Sequence, residues 1–344
     1  MLPYEDRANR VPESLASGDY DFWLGHTYVA LERPGEGIAC AKRAMEIAEH
    51  RHHQMLVAQS SFLLAYACFA AGRPAEGISQ GQRAIRVLES LGQQPFWLSA
   101  AWQMVGLNHL LAGEFNLGLE ALGRAEGIAS TFGFSMVTTM SSAFQAVAWS
   151  ARGDWRRATR QAQRRSEQVS GPAEPLVLAG TCGVAELARG DPAAAISLLE
   201  SGCRHPFPSL RSTFASHLSE AHLLRGNVNQ AAVCAHRAAT DCSLHAYSTP
   251  RALRIRGRVE LTQGAFVEAH HDLTQSLQRF LILGDLFESG RTHLHLAELA
   301  RASGDNPSAT NHLLDAREQF VLTDCREYVE RTHAMADSLG LALS

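Results

Sequence analysis

Gly77-Ile78-Ser79-Gln80-Gly81 has the G-x-S-x-G spacing of a nucleophile elbow. That chemistry needs a strand before the serine, a helix after it, and a histidine and an acid to activate it. Ser79 instead falls in a helical stretch with no strand pattern nearby, so hydrolysis is not expected. Histidine is abundant, at 16 residues, and metal ligation is the next chemistry to weigh. His50, His52 and His53 sit in a connection between helices and read as polar loop residues. Cys234, His236, Cys242 and His245 look like a zinc set, but residues two apart on a helix point to different faces. His293 and His295 fail as a chelating pair for the same reason, and Cys203 and His205 belong to a proline-rich turn, His205-Pro206-Phe207-Pro208. The chain holds no HExxH, P-loop or GxGxxG sequence. No catalytic residue, metal or cofactor is expected, and the chain reads as a non-enzyme.

The remaining chemistry is that of recognition. Arginines bind carboxylates and phosphates through paired N–H donors, and aromatic rings anchor apolar side chains. Arg251, Arg254, Arg258, Arg291 and Arg301 crowd the last third of the chain, and Phe22, His26, Phe62, Tyr66 and Phe69 crowd the first. Net charge is −4, from 31 basic and 35 acidic residues, which argues against a bulk electrostatic nucleic-acid binder. The 46% hydrophobic and 19% charged fractions are those of an ordinary folded protein.

These side chains must be placed by elements, and the elements repeat. A glycine recurs at Gly72, Gly113, Gly153, Gly190, Gly226, Gly264 and Gly304, at spacings of 41, 40, 37, 36, 38 and 40. Five positions after each stands a small residue: Gly77, Gly118, Ala158, Ala195, Ala231, Ala269 and Ala309. Seven positions before each stands another: Ala65, Gly106, Ala146, Gly183, Ser219, Gly257 and Ala297. Glu32, flanked by Gly25 and Gly37, adds an earlier unit. A turn glycine lets one helix end and the next begin, and facing small residues let two antiparallel helices cross closely. No stretch alternates with period two. The spacing predicts an all-α solenoid of about eight helix pairs over 18–323, an irregular lead-in over 1–17 and a capping helix over 324–344.

The small–glycine–small pattern, with an aromatic shortly before the turn at Tyr28, Phe69 and Trp149, resembles the tetratricopeptide repeat. It departs in its period, 36 to 41 against the usual 34, and in lacking most of the closing prolines. Leu283-Gly284-Asp285 through Arg291, Leu296-Ala297 and Gly304 to Phe320 are similar to the last unit of repeat regions C-terminal to bacterial signal-transduction ATPases. These include LuxR-type activators and ATPase-linked nucleotide cyclases. The resemblance implies a right-handed superhelix and a place in bacterial signalling or transcriptional regulation. It extends to no ATPase, cyclase or DNA-binding motif in this sequence.

In such a stack the first helix of each pair lines the concave side. Positions thirteen, ten, six and three before each turn glycine then face the groove. That groove is aromatic at Phe62, Tyr66 and Phe69, passes Gln103 and aliphatic residues, and becomes cationic at Arg251, Arg254, Arg258, Arg291 and Arg301. The expected ligand is a protein or peptide segment, acidic in character, or a small acidic effector, and no nucleic acid or membrane is expected. The alternatives are an arginine face merely solvated and neutralised by Glu260, Glu288 and Glu298, self-association through helix faces, and an enzyme with a site inside the solenoid. An enzyme would show a buried cluster of perturbed titratable groups in a closed pocket. Arg256 stands where a core leucine is the rule, so either Glu288 or Glu260 is its partner or the repeat frame slips there. Seven irregularly spaced cysteines and the absence of a signal-like N-terminus point to the cytoplasm.

Overall fold

The computed structural model describes residues 14–92, 94–166, 169, 172–241 and 246–341. Most of the expected lead-in, and Cys242 and His245, lie outside the described residues. The described residues fold as 17 α-helices with no strand. The helices are α1 (Leu15–Ala30), α2 (Pro34–His50), α3 (Gln54–Ala71), α4 (Pro74–Leu91), α5 (Pro95–Leu111) and α6 (Phe115–Thr131). They continue with α7 (Ser135–Ala151), α8 (Trp155–Ser166), α9 (Glu174–Arg189), α10 (Pro192–Gly202), α11 (Pro208–Leu224) and α12 (Val228–Asp241). The last five are α13 (Ser248–Gln263), α14 (Phe266–Leu283), α15 (Leu286–Ala302), α16 (Asn306–Leu322) and α17 (Arg326–Leu339). α1 begins at Leu15, three residues before the expected start of the array, where Ser14 and Ser17 form a reciprocal capping box.

The pairing follows the turn residues. Each of the seven repeating glycines has a positive φ, from 71° at Gly72 to 89° at Gly190. Glu32 takes the same left-handed conformation, φ 59°, at the position where the other units carry glycine. The small residues meet where expected. A Cβ on Gly106 would lie 3.0 Å from the Gly118 carbonyl oxygen, and one on Gly118 would lie 3.1 Å from that of Gly106. α5 and α6 therefore cross at a distance that only glycine allows on both sides.

The described residues divide, within α7, into two compact units, residues 14–142 with 246 and the rest from 143 to 341. In the first, α1, α3 and α5 pack side by side as an inner row, and α2, α4 and α6 pack on them. α3 is long and apolar enough to cross a membrane, but 67% of that stretch is buried, as befits a core helix. In the second unit α9, α11, α13 and α15 form the corresponding row. There the last helix returns to the beginning of its unit. Arg152 pairs with Asp324 at 2.8 Å, and an Arg331 Nη donates to the Ala188 carbonyl at 2.7 Å.

Ser79 is exposed inside α4. His53 Nδ1 accepts from the Leu56 amide at 3.1 Å and so caps α3, and His205 Nδ1 accepts from the Phe207 amide at 3.2 Å in its turn. Cys40, Cys68, Cys182, Cys203, Cys234 and Cys325 are buried free thiols, and burial pushes Cys68 and Cys203 up to about 12. Such thiols are packing groups rather than nucleophiles.

Candidate functional site

Residues three, four and seven apart share one face of a helix, and the inner row carries its polar and aromatic groups in that register. In the first unit, α3 presents Phe62, Tyr66 and Phe69 on one face. Phe62 meets Trp97 edge to face at 5.6 Å, and Trp97 also meets Phe22 at 5.6 Å and Trp23 at 6.5 Å. Tyr66 faces His26 at 5.6 Å. Burial, aided by the charge of Glu32, pushes the Tyr66 phenol up to about 12, so it stays protonated as a donor. Phe69 lies half-buried one turn further along α3. Trp97, at the first turn of α5, therefore ties three inner helices together. Gln103, also on α5, is buried and donates to the Val137 carbonyl at 3.0 Å and to Ser141 Oγ at 3.1 Å. Both amide N–H donors are used within the protein, so Gln103 fastens α5 to the next inner helix.

In the second unit, α13 carries Arg251, Arg254 and Arg258 on one face, and α15 carries Glu288, Arg291, His295 and Glu298. Glu288 is the hub. Arg254 Nη1 approaches its Oε2 at 2.6 Å and also donates to its carbonyl at 3.1 Å; Arg251 Nε reaches Oε1 at 3.1 Å, and Arg291 Nη1 reaches Oε2 at 3.4 Å. Glu220 of α11 forms a second centre, accepting from Arg258 Nη1 at 2.9 Å and Arg291 Nη2 at 3.1 Å. The side chains of Arg254, Arg291 and Glu288 are only 7%, 11% and 6% exposed. Burial disfavours both carboxylates, yet the arginines overcome it and hold Glu288 and Glu220 well below the usual range. Asp285, which caps α15 by accepting from the Glu288 amide, is raised by burial and by the neighbouring Glu288 charge.

The four guanidinium groups carry more donors than this network uses. Each has about five N–H donors. Among the described residues the bonds engage Nε of Arg251, Nη1 of Arg254 and of Arg258, and Nη1 and Nη2 of Arg291. The remaining donors on Arg251 and Arg258 are left for solvent or a ligand. Sequence reasoning brought these four arginines together but missed the hub role of Glu288. Arg301 does not join them. It lies ten residues beyond Arg291 on α15, about 15 Å down the axis, and donates to the Leu339 carbonyl at 3.2 Å. Arg256 faces away, toward α14. Its bidentate partner is Asp272, and Glu260 stands off at 3.8 Å.

Burial also sets an acid limit on this fold. His295 and His205 are each lowered to about 4, by burial first and then by nearby arginines. A histidine held neutral in the fold contributes stability above its unfolded value near 6.5 and loses it as pH falls toward 4. Each should account for on the order of 2 kcal/mol across that window. The thermal midpoint is expected to fall between pH 6.5 and 4, and less steeply in His205→Gln. A midpoint flat over that range would contradict the burial assigned to both rings.

The fold class is thus that of the tetratricopeptide-like solenoids: all-α, built of stacked helix pairs. No family model matches the sequence, and no curated protein does. Solved structures do. The Rap conjugation gene regulator of the plasmid pLS20, in complex with the Phr* peptide, aligns with a TM-score of 0.62 at 13% identity, over 96% of this chain and 100% of that one. NprR in complex with its cognate peptide NprX aligns at 0.56 and 13% identity, over 94% and 97%. The Cut9–Hcn1 hetero-tetramer of the APC/C aligns at 0.58 and 11% identity, over 92% of this chain and 58% of that one. At these identities the likeness is one of fold.

Proposed function

We propose that the chain is a non-enzymatic peptide-binding regulator that takes an acidic segment or a peptide C-terminus against Arg251, Arg254, Arg258 and Arg291. The observation that carries this reading is the donor surplus of Arg251 and Arg258 within a four-arginine cluster on one inner face. Burying charges at this cost in desolvation does little for stability, since apolar packing does as well or better. A recognition role accounts for the arrangement. A carboxylate would complete the bidentate geometry that Arg258 leaves half used. The peptides held by the Rap regulator and by NprR support the ligand class. Trp23 and Phe96, the exposed aromatics that flank the packed cluster of Phe22, Phe62 and Trp97, supply anchoring surface of their own. A cytoplasmic place in bacterial signalling, alongside an ATPase of the kind whose repeat regions it resembles, is the setting we assign.

One observation favours an enzyme instead. Asp285 and Glu288 are neighbouring carboxyls driven apart in acidity, as acid–base pairs are. Asp285, however, is occupied as a helix cap and Glu288 is enclosed by three arginines, so neither is placed to exchange a proton with a substrate.

Panning a random peptide library with the full chain tests both readings. Enrichment of acidic or free-carboxylate peptides is expected, recovered intact by mass spectrometry. Arg258→Gln, folded by circular dichroism, should weaken the selected peptide about 10- to 100-fold, the worth of a charge-assisted hydrogen bond. Arg301→Gln should leave it unchanged. Equal binding by both variants would overturn the arginine assignment, and cleaved peptide would favour the enzyme.

A further inference from the structure

The pair α15–α16 brings together residues that its sequence keeps nineteen apart. The helices cross at the small residues Ala297 and Ala309, seven before and five after Gly304. One turn further from the connection on each helix stand His293 on α15 and His312 on α16, with Asp315 one turn beyond His312 on the same face. His293 Nδ1 and His312 Nδ1 lie 3.0 Å apart, and Asp315 Oδ2 lies 3.7 Å from His293 Nδ1. The three donor atoms all fall within 4.8 Å of one another, the one such group of three among the described residues.

We propose that His293, His312 and Asp315 bind a divalent transition-metal ion of the zinc class, with water completing the shell. Zn–N bonds of about 2.0–2.1 Å in a tetrahedral shell separate two ligand nitrogens by about 3.3 Å, so the two rings need to part by only a few tenths of an ångström. Two imidazoles and one carboxylate, with an open position, are a borderline set that suits zinc, cobalt or nickel and not calcium or magnesium. Burial favours the neutral, metal-binding form of both rings, lowering His312 and taking His293 to about 4. His293 is buried, His312 half-buried and the Asp315 side chain 54% exposed, so an ion can enter from the Asp315 side onto a fixed ligand. His270 of α14 and the α16 cap Asp305 lie within electrostatic reach of His312. Bound there, the ion would clasp α15, the helix that carries Glu288 and Arg291, to α16.

Cobalt titration of the metal-stripped full chain tests this, read by its visible d–d absorption and by displacement with zinc against a chromophoric chelator. One equivalent should bind with tetrahedral cobalt bands and no near-ultraviolet thiolate band. His312→Ala should weaken that equivalent at least tenfold. Asp315→Ala, a more exposed change that preserves folding, should also weaken it. Absence of cobalt bands in the wild type, bands that survive both substitutions, or a thiolate band would each overturn the site and leave the His293–His312 contact as a hydrogen bond.

Discussion

Glu288→Ala is expected to destabilise the second unit by about 3–5 kcal/mol, the usual cost of leaving buried charges without their partner. The carboxylate is shared by Arg251, Arg254 and Arg291, so its removal exposes three guanidinium groups to one another at once. Urea unfolding, read with hydrogen exchange in α13 and α15, measures the loss. A paired replacement sharpens the argument. Arg254→Met with Glu288→Leu should restore part of the stability, because apolar packing replaces the most buried ion pair at little cost and Arg291 keeps Glu220, while Arg251 loses its carboxylate. The same double variant should not bind the acidic peptide. Stability recovered without binding is what separates recognition from structure. A loss under 1 kcal/mol in the single variant would mean that the arginines are hydrated and that Glu288 is no hub.

Trp97→Ala should cost about 3 kcal/mol in the first unit, the lower end for removing a large aromatic from a packed site. The indole touches Phe22, Trp23, Phe62 and Phe96, and so holds the first turn of α5 against α1 and α3. Trp97→Phe should recover much of that, since edge-to-face contact with Phe22 and Phe62 survives. The intrinsic fluorescence and thermal midpoint of the two variants check the assignment. Equal midpoints for Trp97→Ala and the wild type would show that the cluster is surface, not packing.

The turns were legible because a left-handed residue is needed between paired helices and glycine takes that conformation without strain. Even Glu32 was readable from its flanking Gly25 and Gly37. The inner arginines were legible because Arg251, Arg254 and Arg258 follow the helical period. Glu288 was legible as a neutralising charge but not as their shared, buried partner, since a repeat frame says which way a side chain points but not what it meets on the next helix. The separations explain the misses. Gln103 reaches residues 34 and 38 further on, and Arg254 reaches one 34 further on, each about one repeat away. Arg256 and Asp272 stand eight positions on either side of Gly264, across a hairpin. His293 has His295 as its neighbour in sequence, but its neighbour in space is His312. Contacts across a hairpin and across one period are the two registers that a repeat frame leaves unspecified.

Hydrogen–deuterium exchange of the full chain, with and without a saturating acidic peptide from the library, tests the central claim most directly. The account predicts that protection appears on α11, α13 and α15, centred on the turns that carry Glu220, Arg258 and Arg291, and that it disappears in Arg258→Gln. Protection confined to α12, α14 and α16, or unchanged by that substitution, would contradict the inner arginines as the binding surface.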